Sequence, residues 1–229
     1  MENTGGFVTG TLVHTDKGLV PIEQIKVGDM VLSKHESGDG TLEYKRVTKT
    51  IKSSEEKELF AIWYEVNGSP LERMLICTKD HSLWIEGKDW VAARTIDASF
   101  KLGYGAPIVL SDGQKGEIVF ALPIAETVEK NICFIEDYDW HKITGSMKFD
   151  FRQTPIRLSS NYAGDRLEPA GQFVLATLAE SDFIGDKFDD TDSWVAPPYV
   201  ATVYNIEVED FHTYYVGNIG IWVRDINSN

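Results

Sequence analysis

Two short stretches of the chain carry side chains able to move protons. Cys77-Thr78-Lys79-Asp80-His81 sets a hydroxyl and an imidazole close together, and Phe211-His212-Thr213-Tyr214-Tyr215 holds a second histidine near the end of the chain. Histidine titrates near neutrality, so either imidazole can take up and return a proton at physiological pH. A Thr-x-x-His tetrapeptide is common by itself, and a histidine beside a strand more often packs than reacts, so the surroundings must decide. The five histidines are scattered without a paired ligand spacing. The two cysteines, Cys77 and Cys133, lie in apolar surroundings and offer neither a disulfide framework nor a metal spacing. The cluster Asp186-Lys187-Phe188-Asp189-Asp190 could hold a cation, but it reads as a solvated loop. No phosphate loop and no usable carboxylate pair is present, so neither cofactor nor metal is expected.

The elements that must position these groups read as strands. Val203 to Val208 alternates apolar and polar residues, the pattern of a half-buried strand. His212 to Val216 is a second β-rich run, Asn218-Ile219-Gly220 supplies a turn, and Ile221-Trp222-Val223 begins a third strand. Toward the front, Phe7 to Val13 and Met30 to Ser33 read as strands, with one helical turn at Pro21-Ile22-Glu23-Gln24-Ile25 because proline favours a first helical position. Tyr44 to Ile51, Leu59 to Val66 and Arg73 to Cys77 continue the β pattern around Gly-containing turns. Short strands at close spacing predict an all-β fold.

Composition divides the chain into residues 1–103, an acidic stretch over 104–198, and a closing part over 199–229. The middle stretch carries sixteen Asp or Glu against eight Lys or Arg, a net of −8 out of −14 for the whole chain. It reads as a β-rich insertion, with strands at Ile118 to Ile124 and Ile132 to Ile135, either a strand or a short helix over Pro169 to Ala179, and an acidic loop over Ser181 to Ser193. Phosphate contact needs clustered Lys and Arg, so the overall charge argues against a nucleic-acid partner and against a nuclease in the insertion. The first residues are polar with no apolar stretch after them, so no secretory leader is expected, and nothing approaches a membrane-spanning run.

Three separated pieces fit one pattern. They are Phe7-Val8-Thr9-Gly10-Thr11-Leu12-Val13-His14-Thr15 with the following Pro21-Ile22-Glu23-Gln24-Ile25-Lys26-Val27-Gly28-Asp29; Cys77-Thr78-Lys79-Asp80-His81 with Trp84 and Trp90; and Val203-Tyr204-Asn205-Ile206-Glu207-Val208-Glu209-Asp210-Phe211-His212-Thr213-Tyr214-Tyr215-Val216-Gly217. Together they resemble the Hint (hedgehog/intein) superfamily, and most closely the pretoxin Hint domains of bacterial polymorphic toxins. The resemblance covers roughly the first hundred residues and the last thirty. It implies a horseshoe β fold whose termini meet at one site, and a single-turnover autocatalytic activity that cuts peptide bonds at the ends of its own chain. At the front, a first-residue Cys attacks the preceding carbonyl while a Thr-x-x-His pair polarises the amide and protonates the leaving nitrogen. At the back, a terminal Asn cyclises and releases the downstream segment. Thr78 and His81 match the pair, and His212 matches the histidine of the closing motif.

Several positions depart from that pattern. Gly6 stands where the family has its first Cys, and glycine offers no nucleophile. Asn205 stands where many inteins carry an aspartate; it can hydrogen-bond but cannot titrate. Arg224 and Asp225 stand where the family ends in His-Asn. Arginine stays protonated, and a carboxyl with a reference pKa of ~3.9 beside a cation should be ionised at pH 7, so only a proton-assisted anhydride route is open to Asp225. The expectation is an intein-like autoprocessing domain of a secreted or cell-surface bacterial toxin. Its partner is its own flanking polypeptide in cis, with a toxin downstream, and its chemistry is impaired at both ends. The alternative is a degenerate Hint scaffold serving as a spacer or protein-interaction module.

Overall fold

The computed structural model describes residues 5–96, 105–127, 129–135, 147–160, 167–168, 171–176 and 197–225. In chain order the strands are β1 (Leu12–Thr15), β2 (Gly18–Pro21), β3 (Met30–Ser33), β4 (Glu43–Lys52), β5 (Lys57–Val66), β6 (Glu72–Thr78), β7 (Ser82–Ile85), β8 (Asp89–Ala92), β9 (Ala106–Val109) and β10 (Lys115–Pro123). They continue as β11 (Ala125–Glu126), β12 (Ile132–Ile135), β13 (Met147–Asp150), β14 (Ile156–Ser160), β15 (Leu167–Glu168) and β16 (Phe173–Ala176). The chain closes with β17 (Val200–Ala201), β18 (Tyr204–Val208), β19 (Thr213–Val216) and β20 (Ile221–Arg224). The only helical pieces among the described residues are two 3-10 turns, Ile22–Gln24 and Ala93–Thr95; the first starts directly after Pro21, as its fixed φ favours. The fold is all-β, as the sequence predicts.

β5 and β6 are apolar almost throughout because both faces are covered. Successive residues of a strand point to opposite faces. Ile62, Tyr64, Val66, Leu75 and Cys77 enter a core shared with β1, β3, β7, β9 and the closing strands. Their neighbours Leu59, Ala61, Trp63, Met74 and Ile76 enter a second core, built with Cys133, Ile135, Met147, Phe149, Leu158 and Phe173. That second core lies under the five-stranded sheet β11-β12-β13-β14-β16, formed within the acidic stretch. β9 and β10 also lie past residue 103, yet β10 pairs with β5 from Gly116↔Val66 to Pro123↔Phe60. Phe173–Ala176 is a strand, parallel to β14; the expected loop over Ser181 to Ser193 and the Asp186 to Asp190 cluster lie outside the described residues.

The edge of β6 is completed by unlike pieces. β15 pairs with Glu72 and Arg73. Next, the Gln172 side chain imitates a peptide group, its Oε1 accepting from Ile76 N at 2.9 Å and its Nε2 donating to Ile76 O at 3.1 Å. Gln172 is fully buried, and the same Nε2 donates to Thr11 Oγ1. Further along, Thr78 N donates to Gly6 O at 2.9 Å. The front segment is therefore laid on β6 beside a residue of the inserted sheet.

Two expected strands begin late. Phe7 to Val13 is interrupted at Gly10, held at φ +79°, whose amide donates to Glu23 Oε2 at 2.9 Å, while Thr11 Oγ1 donates to Val8 O at 2.7 Å. These local bonds turn the backbone, so Phe7 makes only isolated bridges to Tyr204 and Cys77, and β1 starts at Leu12. His212 likewise precedes its strand, at φ +53°, after Asp210 at φ +64°.

The topology returns the closing strands to the front of the chain. One nine-stranded sheet runs β18-β4-β3-β1-β19-β20-β7-β8, with β2 beside β1. β1 lies between β3 and β19, with Val13 opposite Val216, and β20 meets β7 with Val223 opposite Leu83. On β18, the backbone of Tyr204 exchanges two bonds of 2.8 Å with Phe7. Its register with β4 shifts between Glu207 and Val208, where Thr48 is the additional residue of a bulge.

Candidate functional site

The peptide joining Gly5 to Gly6 is held at both of its polar atoms. Gly6 N donates to Thr78 Oγ1 at 3.1 Å, and Asn205 Nδ2 donates to Gly5 O at 2.7 Å. Thr78 ends β6 and Asn205 lies on β18, so two strands approach the same bond from opposite sides. The donor to the carbonyl lowers the cost of negative charge on that oxygen, the role of an oxyanion-type donor. Thr78 accepts from the N–H and so fixes the plane of that peptide relative to β6. The sequence places Thr78, Asn205 and Gly6 as site residues, and the structure brings them together.

His81 joins them at the same bond. Its backbone N donates to Thr78 O at 3.1 Å, closing the turn after β6, and its ring meets the Phe7 ring edge-on with centroids 4.3 Å apart. A methyl group built on Gly5 would come within 2.8 Å of His81 Nδ1, so that nitrogen abuts the front peptide. Burial pulls the imidazole down to about 3, because the cationic form loses its water without gaining a partner. Nε2 is buried and has no hydrogen-bond partner. At neutral pH His81 is therefore neutral in this folded state and does not carry the second proton.

Position 6 is closely enclosed. A Cβ there would lie 2.7 Å from Tyr204 O and 3.0 Å from Val203 Cγ2. The bridge between Phe7 and Tyr204 draws the two backbones together to that separation. Cys77 does not replace the missing nucleophile, since it is wholly buried and burial raises its thiol far above the ordinary range. Cys133 is buried in the second core with its thiol also raised, first by burial and then by Asp150 and Glu126.

The back end gathers around Asp225. Its Oδ2 accepts from Val208 N at 2.9 Å and lies 3.3 Å from His212 Nδ1, and its own N–H donates to His212 O at 2.9 Å. The Asp225 side chain is fully buried, whereas His212 stays partly open to water. Arg224, one position earlier on an extended strand, points to the other face. There its Nη2 pairs with Glu36 at 2.6 Å and its guanidinium lies 5.3 Å from the centre of the Trp90 ring. Arg224 is therefore drawn away from His212 and Asp225. Residues 226–229 lie outside the described residues.

β18 connects the two ends. It supplies Asn205 to the front carbonyl and the Val208 amide to the Asp225 carboxylate. Tyr214 also links them, donating to Asn205 Oδ1 at 2.6 Å while its ring meets Phe7 edge-on at 6.2 Å. Sequence reading missed Gly5 and Tyr214. The signal for Tyr214 was the Tyr-Tyr doublet, since adjacent residues of a strand turn to opposite faces and one of the two then lies on the side of Asn205. Among the described residues no cluster of side chains could hold a metal ion, and no helix is long and apolar enough to cross a membrane.

The all-β fold thus brings β6 and β18 to one clamped peptide bond near the front of the chain. Solved structures share the fold. A DnaB intein from Synechocystis sp. PCC 6803 matches with TM-score 0.50 at 11% identity, covering 97% of this chain and 99% of that one. The Ssp DnaB mini-intein variant M86 gives 0.51 at 10% identity over 98% and 97%. An intein-like domain from Clostridium thermocellum gives 0.49 at 20% identity over 96% and 98%. Within the sequence, residues 12–118 match the family described as the pretoxin HINT domain. Over that stretch the chain is thus similar to pretoxin Hint domains, and its fold is similar to that of inteins. None of the curated proteins matches it.

Proposed function

We propose that this chain is the autoprocessing domain of a bacterial polymorphic toxin, secreted or displayed on the cell surface. In that setting it acts in cis on its own flanking polypeptide to free a C-terminal effector. The observation that carries the reading is the Gly5–Gly6 peptide, held at its nitrogen by Thr78 and at its oxygen by Asn205. Both bonds come from side chains rather than from the backbone of a neighbouring strand, so the peptide is held apart from the regular sheet ladder. The catalytic assignments are Thr78 on the amide nitrogen, His81 beside the same bond, Asn205 on the carbonyl, and His212 beside the back-end residue. In this chain both reactions are impaired, because Gly6 brings no nucleophile and Arg224-Asp225 replaces His-Asn.

The degenerate-scaffold reading, in which the domain is a spacer or interaction module, is favoured at the front end by the close fit around Gly6. A double fusion separates the two. Place one reporter before Met1 and another after Asn229, incubate at pH 7 with and without thiol, and read the masses. The unaltered chain should stay intact. Gly6→Cys should give thiol-dependent cleavage between residues 5 and 6, and Arg224→His with Asp225→Asn should release the downstream reporter after residue 225. Folded variants that release neither reporter would leave the scaffold reading standing.

A further inference from the structure

Asn205 serves the front peptide only in one of its two amide orientations. With Nδ2 toward Gly5 O it donates; turned over, it would set a carbonyl oxygen against another carbonyl oxygen. Two donors hold it in the useful orientation. Ile206 N donates to Asn205 Oδ1 at 2.8 Å, and Tyr214 Oη donates to the same oxygen at 2.6 Å. In the turned state the NH2 group would face the Ile206 N–H, leaving that donor without an acceptor, and the Tyr214 hydroxyl could bond it only by giving up its role as donor. The Ile206 contact is local to the strand, but Tyr214 reaches across from β19, so it fixes Asn205 relative to the rest of the site. Tyr214 is fully buried, and burial, followed by the Asp225 charge, raises its phenol well above the ordinary value, so it keeps its proton to donate. Its ring rests edge-on against Phe7, the residue directly after the clamped peptide.

From this geometry we infer that Tyr214 is a positioning residue of the front-end site, acting through Asn205 to keep a donor aimed at the Gly5 carbonyl. The inference rests on the proposed autoprocessing reading for its consequence but not for its geometry. The hydroxyl of Tyr214 forms or breaks no covalent bond; it holds in place the amide whose orientation the Ile206 N–H sets.

The test uses the full chain labelled with 15N and 13C, comparing the unaltered protein with Tyr214→Phe, and with Tyr215→Phe as a control on the adjacent tyrosine. In Tyr214→Phe the Asn205 side-chain N–H should exchange with solvent about tenfold faster, the loss expected for one neutral hydrogen bond. The Gly5 carbonyl resonance should move as well, and Tyr215→Phe should change neither. Unmoved Asn205 and Gly5 signals, with only a lower unfolding midpoint, would show Tyr214 to be structural and overturn the inference. A second arm measures thiol-induced cleavage in Gly6→Cys with and without Tyr214→Phe, expecting about a tenfold slower rate; an unchanged rate overturns the inference. If Gly6→Cys alone does not cleave, that failure belongs to the autoprocessing reading, and the spectroscopic arm still decides the role of Tyr214.

Discussion

Lowering the pH should destabilise this protein through His81. Its imidazole titrates at about 3 in the folded chain because it is buried, against about 6.5 when the chain is unfolded. Between those values the unfolded state binds a proton that the folded state refuses. Stability therefore falls as pH drops through about 6.5, and the His81 contribution stops changing near 3. From pH 7 to pH 5 the loss comes to about 2 kcal/mol from this one residue, since each pH step below the unfolded value costs about 1.4 kcal/mol. His14 is also lowered by burial, partly offset by its bond to Gly217 O, and acts in the same direction. A difference measurement removes it. Urea unfolding of the unaltered chain and of His81→Gln should be followed from pH 7 to pH 5 at constant ionic strength. Glutamine cannot titrate, so the unaltered chain should lose about 2 kcal/mol more than the variant over that interval. Parallel pH profiles for the two proteins would refute a buried, neutral His81.

Two further substitutions test the packing around the site. Gly6 is not among the glycines at positive φ, so alanine should gain about 0.4–1 kcal/mol from a stiffer unfolded chain, but the contact with Tyr204 O costs about 1–3 kcal/mol. Calorimetry of Gly6→Ala should therefore show a midpoint lower by a few degrees, and an unchanged or higher midpoint would mean the front strand has room to spare. Gln172→Ala removes bonds to Ile76 and Thr11 from a fully buried site and should cost about 2–4 kcal/mol in denaturant unfolding. A cost below about 1 kcal/mol would show that the inserted sheet does not help hold β6.

Much of the fold was legible because it depends on short-range pattern. The alternation over β18, the proline before the 3-10 turn and the apolar runs of β5 and β6 each announce their element locally. The motif residues Thr78, His81 and Asn205 were legible through family resemblance, and the structure assembles them at the front peptide. Other features are not local. Gln172 acts as a peptide group for a residue ninety-six positions away, which no periodicity records. The division at residue 103 followed surface charge, while β10 is placed by its pairing with β5, and strand pairing leaves no trace in net charge. Phe7 to Val13 reads as one strand because β-propensity does not register the Glu23 carboxylate that captures the Gly10 amide. The Asn205 amide is held in place by a hydroxyl from another strand.

One edge of β18 is paired with β4, and its opposite edge is spent on the site itself. Tyr204 bonds to Phe7, the Ile206 amide to the Asn205 side chain, and the Val208 amide to Asp225. The Ile206 acceptor lies on β18 itself, whereas the Tyr204 amide keeps its acceptor only while the front segment stays docked and the Val208 amide only while Asp225 does. A departing front segment would free Tyr204, and a departing back residue would free Val208. Native-state hydrogen exchange at these two amides thus acts as a built-in gauge of occupancy, reading each terminus separately on a single strand.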